Sequence, residues 1–127
     1  MIAIGKNING EEIEFHNGGS ELNCSFNKLI ELNINEKIGL THIKVFCNKL
    51  TKLTIPNSVK YVNCFDNQLT ELHLPDSVEI LFCFDNPITE ITLPKSIEYA
   101  ILPLNCNVLN IDEFKNRDDV EIFFFSY

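Results

Sequence analysis

Apolar and polar positions in this chain recur together at a fixed interval. From Asn48 to Leu104 the sequence reads NKLTKLTIPNSVKYVNCFD, then NQLTELHLPDSVEILFCFD, then NPITEITLPKSIEYAILPL. The copies start at Asn48, Asn67 and Asn86, and Asn105 opens what should be a fourth; the steps 67−48, 86−67 and 105−86 are each 19. Self-similarity near twenty residues marks a solenoid, in which one coil has no core of its own and stacking must bury the apolar side chains.

Aligning the coils on the asparagine sorts the positions by direction. Five before it stand Leu22, Ile43, Val62, Leu81 and Ala100; three before it, Cys24, Val45, Cys64, Cys83 and Leu102; eight before it, Leu40, Val59, Val78 and Ile97. Two, five and seven after it the columns are again apolar, as in Leu69, Leu72 and Leu74. All are expected to point inward. The segment before the asparagine alternates with period two and predicts one short parallel strand per coil.

The ends depart from the repeat. Residues 1–21 alternate around Asn9-Gly10 and predict a β-hairpin that covers the first coil. The first repeat is longer (48−27 = 21), with the extra residues in the connection Glu36 to Gly39. Asp112 is expected to cap one helical turn over 112–116. In the tail, Val120 and Ile122 are placed opposite Ala100 and Leu102, and a last strand closes the stack. The whole chain, 1–127, reads as a single domain: cap 1–21, repeats 22–105 and cap 106–127.

The inward columns spell LxxLxLxxNxL, as in Val78-Leu81-Cys83-Asn86-Ile88. Over about residues 19–105 this resembles the leucine-rich repeat. Leu74-Pro75-Asp76-Ser77 and the short step are similar to the short-repeat subclass of some bacterial secreted effectors, although one proline and 19 residues stand where that subclass has two and twenty. The resemblance implies a leucine-rich-repeat solenoid: a right-handed β/α-type superhelix of short parallel strands and extended turns, with little helix and a curved sheet on its concave face. No ligase or other catalytic segment is recognisable in the sequence, so such activities do not carry over.

The repeated asparagine has a physical use. A tight coil leaves interior N–H and C=O groups unpaired, each costing about 1–3 kcal/mol. An asparagine offers two donors and an acceptor. Asn27, Asn48, Asn67, Asn86 and Asn105 are therefore expected to form a column bonding the coils above and below.

Composition narrows the partners. The net charge of −8 would repel nucleic acid and anionic membrane surfaces, and no apolar run approaches a bilayer span. The start lacks the pattern of a Sec-type leader. Five cysteines without CxxC spacing suit a reducing compartment, which makes the cytoplasm the expectation and leaves export by a dedicated machine open.

Candidate chemistry is thin. Cys24, Cys64 and Cys83 share one column, which cannot close a tetrahedral zinc site; they read as core, and Cys47 and Cys106 as unpaired thiols. His16, His42 and His73 are scattered. Glu31, Glu71 and Glu90 beside Lys52 read as a solvated face. No metal, cofactor or catalytic residue is assigned, and the chain is not expected to be an enzyme.

The outward side of the strands is different, because aromatic residues stand where polar ones are usual. Phe46, Phe65 and Phe84 fall two before the asparagine; Tyr61, Ile80 and Tyr99 six before; Phe82 and Ile101 four before; Phe123 and Phe125 continue on the last strand. About ten such residues exposing about 50 Å² each would make a patch of about 500 Å², with Asp66, Asp85, Glu21 and Lys44 as a polar rim. The expected function is a protein–protein interaction scaffold binding another protein through this face, with Phe84→Asp abolishing binding while leaving folding nearly intact. The alternative is a structural protein that buries the same face in a homodimer.

Overall fold

A Pro-X-Ser turn closes each middle coil, because the chain must reverse where a return segment meets the next strand. The structure, a computed structural model, describes residues 1–16 and 18–127. Its strands in chain order are β1 (Ala3–Asn7), β2 (Glu12–Phe15), β3 (Glu21–Asn23), β4 (Leu29–Ile34), β5 (His42–Lys44) and β6 (Tyr61–Asn63). There follow β7 (Ile80–Phe82), β8 (Glu90–Ile91), β9 (Tyr99–Pro103), β10 (Asn107–Val108) and β11 (Glu121–Phe125).

Six of these strands, one per coil, lie side by side and parallel in the order β11-β9-β7-β6-β5-β3. Their register runs straight across the sheet through Glu21, His42, Tyr61, Ile80, Tyr99 and Glu121. The result is a parallel-strand β-solenoid of about six turns with almost no helix. Two 3₁₀ turns, Glu36–Ile38 and Ile111–Glu113, are the only helical segments among the described residues. The first takes up the longer connection of the first coil: Asn35 Oδ1 accepts the Lys37 N–H at 3.1 Å, and Gly39 ends the turn at φ +72°, a left-handed value that favours glycine.

The core is the space enclosed by the coils. Leu22, Ile43, Val62, Leu81 and Ala100 are fully buried, as are Val45, Cys64, Cys83 and Leu102 one pleat further on. On the return side Leu53, Leu72 and Ile91 are buried, while Leu32, Ile34 and Leu74 are partly buried against the same core. Ser58, Ser77 and Ser96 form a second seam, each Oγ donating to the carbonyl of Leu40, Val59 or Val78 in the preceding coil at 2.6–2.7 Å. Beside it, Val59, Val78 and Ile97 donate their N–H to the carbonyls of Pro56, Pro75 and Pro94, closing each turn.

The ends differ from expectation in three ways. The hairpin forms around Asn9-Gly10, but β1 pairs antiparallel with the return strand β4, Ala3 opposite Ile34 and Gly5 opposite Leu32. It therefore covers the return side of the first coil, not the strand β3. Its fit is tight, since a Cβ on Gly5 would stand 2.8 Å from a Leu29 methyl. At the other end, β11 sits two residues beyond the expected register: Ile122 lies opposite Ala100, and Phe124 opposite Leu102. A two-residue slip keeps every side chain on its expected face. The tail turn begins one residue earlier than expected, with Asn110 and not Asp112 at its cap position. There Asn110 closes the last coil, its Oδ1 accepting the Leu93 N–H at 3.0 Å and its Nδ2 donating to the Leu93 carbonyl at 2.8 Å. Phe114 is buried beneath, and the Arg117 guanidinium lies 5.5 Å over its ring.

Candidate functional site: the aromatic face of the sheet

Side chains alternate across a strand, so burying Val62, Leu81 and Ala100 turns their neighbours outward. This places Tyr61, Phe82, Tyr99 and Phe123 in a zigzag on the outer face, with successive ring centroids 5.8, 5.9 and 5.6 Å apart. Ile80 and Ile101 complete it, both half-buried. Beyond the strand ends a second file runs Phe46, Phe65, Phe84. Its rings are parallel within 5–6° and 4.7–4.8 Å apart, close to the separation of the strands that carry them.

The file turns edge-on at both ends, with Phe26 against Phe46 and Phe125 against Phe84. Phe84 is consequently only 8% exposed, held between Phe65, Phe125 and Tyr127. That corrects the expectation that nothing in the chain covers it. Phe46, Phe65, Tyr61, Phe82 and Tyr99 are half-buried, while Phe123 and Phe125 are exposed. Phe26 stands one before Asn27, in the column of Cys47, Asp66 and Asp85, and Tyr127 lies beyond the repeats; neither falls in an aromatic column, which is why sequence reasoning omitted them from the face.

One local device builds both the face and the core seam beneath it. The residue after each ring of the file takes a left-handed conformation: Cys47, Asp66 and Asp85 all at φ +56°. Aspartate tolerates this region better than most residues. The turn swings the next residue, the asparagine, inward. Asn48 Oδ1 accepts the N–H groups of Asn27 and Leu29; Asn67 accepts that of Leu50, and Asn86 that of Leu69, all at 3.0 Å. Their Nδ2 groups donate to carbonyls of their own and the preceding coil, as from Asn86 to Cys83 and Cys64.

The column thus links each coil backward only, not above and below. Asn48, Asn67 and Asn86 are buried, and Asn27 is half-buried at the start. Asn105 is not part of it: it is exposed and itself left-handed at φ +70°. The one-residue displacement puts buried Cys106, not Asn105, at the inner position.

The rim carries charge where expected. Lys44 Nζ lies 3.0 Å from Glu21 Oε1, and the hydrogen bond to that carboxylate raises the lysine above its ordinary value. Asp66 and Asp85 flank the other side, and Asp85 Oδ1 accepts the Tyr127 N–H at 3.3 Å. The His42 ring stacks on Tyr61 at 5.4 Å.

Elsewhere the thiols are inert by environment. Burial pushes Cys24 and Cys64 up to about 12 and Cys83 well above its ordinary value, far from the thiolate that reacts or binds metal. All five cysteines are free. Among the described residues, no three of His, Cys, Asp and Glu gather where a metal ion could be held, and no helix is long and apolar enough to cross a membrane. His16 and His73 pair with Glu14 and Glu71 at exposed sites. A groove of about 870 Å³ lies on the return side, not on the aromatic face, lined by residues including Glu71, His73, Glu90 and Asn110.

Compared with protein-family models, curated proteins and solved structures, the chain gives no match.

Proposed function

We propose that this chain is a non-catalytic protein-binding module that engages a partner protein through the aromatic outer face of its six-stranded sheet. The observation that carries the reading is the contiguous zigzag Tyr61, Phe82, Tyr99 and Phe123, whose rings touch one another yet keep part of their surface open. Rings already ordered by their neighbours lose little further freedom when a partner covers them, and aromatic anchors within a polar rim dominate protein interfaces.

The finer architecture is part of the same proposal. The 19-residue step and the inward asparagines favour a leucine-rich-repeat type of solenoid, right-handed, with this face as its concave wall. A cytoplasmic setting accords with five free cysteines and no disulfide.

Affinity capture with the wild type and with Tyr61→Ser/Tyr99→Ser tests the reading. Both tyrosines are half-buried on the outer face, so the variant is expected to fold. A protein retained by the wild type and lost by the variant is the expected result. Equal retention by both would sink the assignment.

A further inference from the structure

We propose that β11 is a self-pairing edge, at which two copies of this chain join antiparallel about a two-fold axis passing by Phe123. Among the described residues, β11 is the terminal strand of the six-stranded sheet and pairs only with β9. The amides of a parallel strand point alternately to its two sides. Glu121 donates its N–H to the Glu98 carbonyl at 2.9 Å, so Glu121, Phe123 and Phe125 turn toward β9. Ile122 and Phe124 therefore turn their N–H and C=O groups away from the sheet.

Those two residues are symmetric about Phe123. With Phe123 opposite its own copy, Ile122 faces Phe124 of the second copy, and each facing pair exchanges two N–H···O=C bonds in the narrow antiparallel pattern. The same groups serve both copies, as a closed two-fold interface requires.

The exposed area fits a dimer. Phe123, Phe124, Phe125 and Tyr127 are 48%, 45%, 41% and 85% exposed. At about 200 Å² per aromatic residue this is about 440 Å² of surface in each copy. Doubled, it would supply the apolar share, about 60%, of an interface near 1,450 Å², within the range of stable complexes. The strand carries no lysine, proline or bulge, and its one charged residue, Glu121, lies at its first position, so little keeps the edge single. Joining β11 head-to-tail onto β3 would leave a free edge at each end and extend past two copies, whereas the two-fold pairing closes at two. Both copies carry a charge of −8, so screening by salt should strengthen the pairing.

Light scattering on a sizing column, over a range of concentrations at low and high salt, tests this with four proteins. The wild type is expected at twice the chain mass of 14.6 kDa, more completely at high salt. Phe124→Pro, which removes an N–H turned away from β9, and Phe124→Lys, which retains that N–H but adds a charge, are both expected at the single-chain mass. Tyr61→Ser/Tyr99→Ser, altered only on the outer face, is expected to stay a dimer. A single-chain wild type at every concentration overturns the proposal, as do masses climbing past two chains. So does a dimer lost in the tyrosine variant but kept in both Phe124 variants. Failure of partner capture has no bearing on these masses, so the two proposals stand or fall separately.

Discussion

Asn67 accepts the amide hydrogen of Leu50, 17 residues earlier, at 3.0 Å, and donates to Val45 and Cys64 at 3.0 and 3.1 Å. One side chain thereby satisfies three buried backbone groups in two coils. Asn67→Ala is expected to strand the Leu50 N–H, because the Val45 and Cys64 carbonyls keep donors in Asn48 and Asn86, and to cost about 1–3 kcal/mol. Asn105→Gly, at an exposed site whose φ of +70° glycine adopts freely, should change stability by less than about 0.5 kcal/mol. Urea unfolding of the two variants checks the contrast; equal losses would mean that the column does not hold the coils.

The serine seam is a smaller version of the same device. Ser77→Ala removes one 2.7 Å bond to the Val59 carbonyl, and about 1 kcal/mol should be lost. A shift in the urea midpoint without a change of slope is the expected signature.

Packing sets a third scale. Leu81 is fully buried on the fourth of the six parallel strands, so Leu81→Ala should cost about 2–5 kcal/mol through lost contacts and residual cavity. Thermal unfolding would show it; a cost under about 1 kcal/mol would imply that neighbouring coils slide in to fill the space.

Phe84 changes role once the structure is known. Its ring is stacked on Phe65 and closed over by Phe125 and Tyr127, so Phe84→Asp should unfold readily, by about 3–5 kcal/mol for the lost ring alone. Near-wild-type stability in that variant would show that the cover over Phe84 opens freely.

The cysteine column predicts a loss of stability in base. Below pH 9.0 the Cys64 thiol keeps its proton in folded and unfolded chains alike, and its contribution is complete. Between 9.0 and about 12 the unfolded chain gives up the proton while the folded chain retains it, so stability falls as pH rises. Cys64→Val, which places there the residue its column already has at Val45, should flatten that fall by about 1.4 kcal/mol per pH unit. Denaturant titrations of both proteins at alkaline pH would reveal the difference.

What could be read from the sequence was whatever the repeat states more than once. Leu22, Ile43, Val62 and Leu81 are recognisable as inward because the same column recurs in every coil, and each parallel strand follows from that alternation. The register of β11 was not readable, because the tail between Asn105 and Glu121 repeats nothing and offers no anchor from which to count. Asn105 misled for a related reason: it keeps the 19-residue step while the backbone around it has shifted by one. Phe84 could not be judged from its own column, since its cover comes from Phe125 and Tyr127, more than forty residues later. Ser58, Ser77 and Ser96 were visible as a recurring Pro-X-Ser, but their bonds depend on the carbonyl directions of the preceding coil, which composition does not encode.

The backward reach of Asn48, Asn67 and Asn86, and of the serines beside them, gives the stack a direction in time. As the polypeptide leaves the ribosome, Leu50 has no partner for its N–H until Asn67 is made, and Leu69 waits in turn for Asn86. Each new turn thus completes its predecessor, and synthesis from the amino end delivers these components in the order they are needed. Truncation is correspondingly unequal for these side chains: removing later turns leaves an enclosed amide such as that of Leu50 without its asparagine, whereas removing earlier ones leaves asparagines and serines that can swing toward water.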